Sequence, residues 1–248
     1  FIMWATLSIL CVVGAAVAEI PTAPCHTKSA DFDQCLLKSF RENIPKMSGS
    51  GVSELGLPPL DPLYVPQLLI TYNGTDIQAK SSVKNSFTHG LRDVQILDIR
   101  TNLEDPEKQV IEGDIFLPKV LVEGTYKTEG ALGNFPITGK GVYNISMTNV
   151  SATLRAEGHL VTLAGKQHLK VHKVSLRPEV GDMKVYASNL IHNNKELSTL
   201  ALNVVNQFWR LFYKEMLPYA EQGFDEVLRG TINKYTLQVP YDQMWIVD

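Results

Sequence analysis

The sequence predicts an α+β chain in which a strongly curved antiparallel β-sheet wraps one long C-terminal helix. Two patterns carry that prediction. From about Leu68 to Leu190 apolar residues alternate with small or polar ones, the period of β-strands. From Lys195 to about Tyr235 the period becomes three to four. Leu197, Leu200, Ala201, Val204, Phe208, Leu211 and Phe212 form one row, and Leu202, Val205, Trp209, Tyr213 and Met216 form a second. Together the rows span roughly 220° of the helix, where a surface helix needs little more than ~100°. Such a helix is expected to be covered on most sides, and the strands are the available cover. Strands and helices do not alternate along the chain, which argues against a doubly wound parallel fold.

At the N-terminus, Phe1 to Val17 is uncharged and mostly apolar, and Ala16-Val17-Ala18 has the small-x-small form of a signal-peptidase site. Residues 1–18 therefore read as a signal peptide and 19–248 as a single exported domain. The rival reading, a membrane anchor, is disfavoured because the apolar run is short for a bilayer span. No later apolar run approaches ~20 residues, so stable membrane insertion is not expected. Cys11 leaves with the signal. Cys25 and Cys35 remain, an even count that reads as a disulfide in an oxidising compartment, the alternative being two free thiols. Sequons at Asn73, Asn144 and Asn149 are candidate glycosylation sites.

Ser29 or Asp31 is placed to cap a helix with Phe32, Leu36, Leu37 and Phe40 on its apolar face, ending near Pro45. Residues 49–68, GSGVSELGLPPLDPLYVPQL, hold too much Gly and Pro for a helix and read as extended surface chain. In the strand region, Pro118 and Gly124 interrupt the alternation of Ile115, Leu117, Leu121 and Tyr126. Interruptions of that kind suit bulges and bends in a curved sheet. Pro218 is expected to divide the long helix, whose apolar rhythm resumes at Ala220, Phe224, Val227, Leu228 and Ile232. The last residues, TLQVPYDQMWIVD, read as a short extended tail.

Composition and motifs exclude several function classes. The net charge is −3 with Lys and Arg scattered, so nucleic acid is not an expected partner. No G-x-S-x-G elbow, phosphate loop or dinucleotide fingerprint occurs, and no catalytic residue or cofactor is expected. His168 and His172 share a strand face, but Lys170 and Lys173 beside them oppose a cation. A solvated basic face is the expectation there, not a metal site. Glu215, a carboxylate in the main apolar row, reads as a partner for backbone freed by Pro218, or else as an anchor for a ligand head group.

Several segments carry a family resemblance. They are Cys25 and Cys35 around DFDQCL, LGLPPLDPL at 55–63, LPKVLVEGTYKTEG at 117–130, PITGKG at 136–141, NLIHNNKELS at 189–198 and VPYDQMW at 239–245. In this collinear order the chain resembles the insect takeout and juvenile-hormone-binding protein family. It looks more like the takeout branch, because hormone carriers typically hold a second disulfide and no further cysteine is present. The resemblance implies a super-roll fold of the tubular lipid-binding type with an apolar tunnel. It further implies a secreted carrier of juvenile hormone, another terpenoid or a long-chain lipid in haemolymph or other extracellular fluid. The tunnel lining expected on that basis is Phe40, Phe87, Phe116, Leu117, Leu121, Tyr126, Tyr143, Val204, Phe208, Phe212 and Phe224. Tyr126 is the polar candidate, with an apolar ring and a hydroxyl suited to an ester, epoxide or quinone oxygen. The alternative is an extracellular signalling protein that meets a receptor, its tunnel mainly structural.

Overall fold

The computed structural model describes residues 24–73, 77–132 and 135–247, so the expected signal segment lies outside the described residues. Six strands among the described residues form one antiparallel sheet: β1 (Leu63–Asn73), β2 (Ile77–His89), β3 (Gln95–Asn102), β4 (Gln109–Leu132), β5 (Phe135–Leu163) and β6 (Lys166–Ala187). Their order is β1-β2-β4-β5-β6. β3 pairs with β4 over Val110–Phe116, while β2 takes the rest of the same edge over Leu121–Leu132. Register shifts at Lys84/Phe87, Ile96/Asp98 and Glu157/Gly158 bend these long strands. The result is a curved half-barrel, as the interrupted alternation predicts.

A half-barrel has two free edges, and helices cover both. α1 (Phe32–Ser50) lies along β3, where Arg41 Nε donates to the Ile96 carbonyl at 2.8 Å and Thr101 Oγ1 donates to Asp33 at 2.7 Å. α1 runs straight through Pro45, where the sequence predicts its end. It stops at Gly51, whose φ of 68° favours a residue without Cβ; a Cβ there would sit 2.2 Å from the Leu57 carbonyl oxygen.

The C-terminal helix covers the edge at β6. It breaks at Phe208 (φ −113°, ψ 29°) into α2 (Lys195–Gln207) and α3 (Trp209–Thr236), and Pro218 lies inside α3 without dividing it. The break separates Asn206, fixed to the sheet edge, from Trp209, which is buried. Polar side chains along the helix take the place of a missing strand. Asn206 accepts from the Val185 amide and donates to its carbonyl, both at 2.8 Å. Asn233 does the same to Val171 at 2.9 and 2.8 Å. Between them Arg210 bonds the Gly181 carbonyl, Tyr213 the Pro178 carbonyl, and Asp225 accepts from the Val174 amide. On its other side α3 meets β1, with Gly223 so near Leu68 that a Cβ would fall 2.9 Å from a methyl. Tyr219 packs edge-on against Tyr72 at 4.8 Å.

The helix therefore closes the open side of the half-barrel, and its cover is less complete than two apolar rows imply. Leu197, Leu200, Val204, Phe208 and Leu211, which form most of the first row, are 42–60% exposed. The buried side of α2 is the one carrying Ser198 and leading to Trp209. Periodicity gives the width of the apolar arc but not how far the sheet reaches round it.

At one end a plug completes the core. The tail is a short helix, α4 (Tyr241–Met244), rather than extended chain, and Ile246 then bridges to His26. Cys25 and Cys35 form a disulfide with Cα atoms 5.7 Å apart. The Ile246 amide donates to the Cys25 carbonyl at 2.9 Å, so the first and last described segments meet here. Trp245 stacks edge-on against Phe32 and Tyr241, at 6.0 and 5.1 Å.

Two predictions follow from the packing. Asn233→Leu orphans a buried amide and carbonyl at about 1–3 kcal/mol each. Its denaturation midpoint should fall well below that of Asn203→Leu, an exposed asparagine on α2 with an expected effect within about 0.5 kcal/mol. On the outer face, Asp114 is held by Arg100 at 2.7 Å and by Thr153 at 2.6 Å, which pulls its carboxyl from the ordinary 3.8 down to about 2. A depressed carboxyl contributes stability that is fully present above pH ~4 and lost as the pH falls through ~2. Asp114→Asn should therefore flatten the loss of stability between pH 4 and 2 in an acid titration followed by circular dichroism.

Candidate ligand cavity

Inside the half-barrel, at the plugged end, lies a cavity of about 450 Å3. Strand phase decides what faces it. Ile111, Ile115 and Leu117 of β4, Leu154 and Ala156 of β5, and Leu169 and Val171 of β6 line it from the concave face of the sheet. Phe40, Ile44 and Met47 of α1 close one side. Leu228, Ile232 and Tyr235 of α3 close another, and Met244 and Trp245 form the plug.

The polar groups in this wall are mostly engaged already. The Gln109 amide is buried, donating to the carbonyls of Leu103 and Asp105 and accepting from the Tyr241 hydroxyl at 2.7 Å. Ser48 bonds the Ile44 carbonyl and Thr231 the Val227 carbonyl. Burial pushes the Tyr235 hydroxyl up to about 12, so it is neutral at physiological pH. A chamber of this kind selects a guest by apolar area and shape, with little directional bonding.

The rim is set by Asp61 in LGLPPLDPL. Its buried carboxylate accepts from the amides of Gly90 and Arg92, at 3.1 and 2.9 Å, and pairs with the Arg92 guanidinium at 3.4 Å. This latch holds Leu60 and Leu63 against Leu91 and Val94, all four of which line the cavity. No sequence pattern singled out Asp61 as a functional residue, because one carboxylate in a proline-rich loop gives no periodic signal.

Of the residues expected to line a tunnel, Phe40 and Leu117 stand in the cavity wall. Phe87 packs on Tyr64 at 5.1 Å, and both are exposed. Phe116 and Leu121 have the opposite strand phase to Leu117 and Val120 and share the outer face with Asp114 and Lys119. Tyr126 and Tyr143 face inward at the far end, 6.4 Å apart and edge-on. The Tyr126 hydroxyl donates to the Ser188 carbonyl at 2.9 Å, and Tyr143 bonds Ser86 at 2.7 Å. Val204 and Phe208 lie in the exposed row, and Phe212 and Phe224 are half-buried on α3 outside this cavity.

Choosing aromatics by size selects from both faces of the sheet. Strand phase, read from Ile111, Gly113, Ile115 and Leu117, is the signal that identifies the wall.

Glu215 is exposed. His168 is buried, not solvated as the basic face predicts, and its Nδ1 has no partner among the described residues. His172 lies 5.8 Å from His159 between ring centres, and no group of three potential metal ligands occurs among the described residues. Asn73 and Asn149 are exposed, and Asn144 is half-buried on β5. No helix among the described residues is long and apolar enough to cross a membrane.

The circadian clock-controlled protein daywake of Drosophila melanogaster is 21% identical over 86% of this chain and 84% of its own length. Daywake of Drosophila yakuba is 26% identical over 52% of this chain, a match spanning only about half (50%) of that protein. The crystal structure of Takeout 1 from Epiphyas postvittana superposes with a TM-score of 0.72 at 23% identity, covering 90% of this chain and all (100%) of the other, a likeness of fold. The family model of haemolymph juvenile hormone binding proteins matches residues 6–246, and the chain belongs to that family.

Proposed function

We propose that the chain is a secreted carrier that encloses a hydrophobic small molecule, such as a terpenoid or a long-chain lipid, in the cavity behind α1. The observation that carries this reading is the cavity itself: about 450 Å3, walled by aliphatic side chains, its buried Gln109 and Ser48 and half-buried Thr231 already bonded. That volume lies within the ~300–1,000 Å3 usual for small-molecule sites. Burying about fifteen methylenes gains roughly 12 kcal/mol at ~0.8 kcal/mol each. That gain exceeds the lower estimates of the association cost, about 4 kcal/mol upward. Family membership and the name of the family model support the same class of ligand. Export is supported by the signal-like residues 1–18 and by the Cys25–Cys35 disulfide. No catalytic step is proposed, since the cavity wall holds no nucleophile paired with a base.

A second reading, an extracellular protein whose surface meets a protein partner, draws on the exposed apolar row from Leu197 to Leu211. One experiment separates the two. Cis-parinaric acid, a fluorescent eighteen-carbon chain, should bind the purified protein with a Kd of micromolar or tighter. Ala156→Trp, which fills the chamber, should weaken binding at least tenfold, while Phe208→Ser on the exposed row should leave it unchanged. Absence of probe binding to a folded wild-type protein would remove the carrier reading. A physiological response that survives Ala156→Trp but not Phe208→Ser would favour the second.

A further inference from the structure

A second concavity, unrelated to the apolar chamber, lies between the outer face of β5–β6 and the flank of α2. It is an open groove of about 480 Å3 lined by Asn144, Asp182, Lys184, Tyr186 and Gln207, with Trp209 at its base. Amides, a carboxylate, an ammonium and an exposed aromatic face share its walls with the apolar Met183 and Val185. This is chemistry for a sugar: the ring stacks on the aromatic face while its hydroxyl and acetamido groups find donors and acceptors.

One wall residue is itself an attachment point. Asn144 opens the sequon Asn144-Ile145-Ser146 and stands directly opposite Tyr186 in the β5–β6 register. Directly opposed residues have Cβ atoms about 4.5–5.5 Å apart, on the same face of the sheet. The next pairs along that face are Ser146 with Lys184 and Thr148 with Asp182. The Asn144 side chain thus emerges beside a tyrosine ring that is 49% exposed, at the head of a polar track. Asn73 and Asn149 differ in this respect, since neither lines the groove.

We propose that Asn144 carries an N-linked glycan whose first N-acetylglucosamine seats in this groove, stacked on Tyr186 and within reach of Lys184 and Gln207. The glycan then acts as a structural part, bridging β5 to the flank of α2 at the end of the helix with the least apolar cover. This rests on export through a glycosylating compartment, which is the proposed localisation.

The test uses the full chain secreted from insect cells, with Thr75→Ala and Ser151→Ala removing the other two sequons. Glycopeptide mapping should find Asn144 occupied. Trimming the glycan to a single N-acetylglucosamine should leave the thermal midpoint unchanged, and complete removal should lower it by about 2–4 °C, the shift expected for one modest contact in a chain of this size. In Tyr186→Ser the same removal should produce no shift. An empty Asn144 in wild-type protein whose Asn73 or Asn149 is occupied would overturn the proposal and leave export standing. Equal midpoints for the fully deglycosylated and singly glycosylated forms would also overturn it. Three empty sequons in secreted protein would defeat it as well. Failure of the chain to be exported at all would remove the localisation on which it rests.

Discussion

The open edge of β6 is the constraint around which the rest of the molecule is arranged. A sheet that curves without closing leaves edge strands with unpaired amides and carbonyls, which are costly to bury and prone to pair with other chains when exposed. Here the edge is occupied by side chains. Asn206 and Asn233 each offer an acceptor and a donor to a single residue of β6, reproducing the two bonds that an adjacent strand would give. Arg210, Tyr213 and Asp225 fill intermediate positions. Polar residues of the C-terminal helix thus serve as its attachment to the sheet.

This attachment explains what the amino-acid pattern reveals and what it hides. The switch from period two to period three or four near Lys195 is local, so the presence and order of strands and helix are legible from it. The interruptions at Pro118 and Gly124 likewise announce curvature. The partner of each polar residue is another matter. Asn206 and Val185 are 21 positions apart and Asn233 and Val171 are 62 apart. No periodicity links such pairs, so the pattern does not identify the partners of these polar residues. Pro45 and Pro218 mislead in the opposite sense. Each removes one helical bond, a local cost that tertiary packing on both sides of the residue overrides.

The chamber shows a similar division. That a cavity is walled by Leu, Ile and Val cannot be told from a packed core by residue type, since both need the same side chains. Strand phase sorts inward from outward residues, placing Ile115 and Leu117 inside and Phe116 outside. Asp61 remains invisible to any such rule. It is a single carboxylate whose value comes from three groups that the turn after β2 brings to it.

The bidentate asparagines have a consequence for how the chamber meets guests of different size. An amide that matches both backbone groups of one residue tolerates neither rotation of the helix nor a slide along the strand. Leu228, Ile232 and Tyr235 are thereby fixed in phase, and their wall behaves as a rigid abutment. α1 and the Asp61 loop are held instead by charged side chains, with Arg41 on the Ile96 and Leu97 carbonyls, Asp33 on Thr101 and Asp61 on Gly90 and Arg92. The α3 wall is therefore the fixed reference against which a guest of any length is positioned in the chamber.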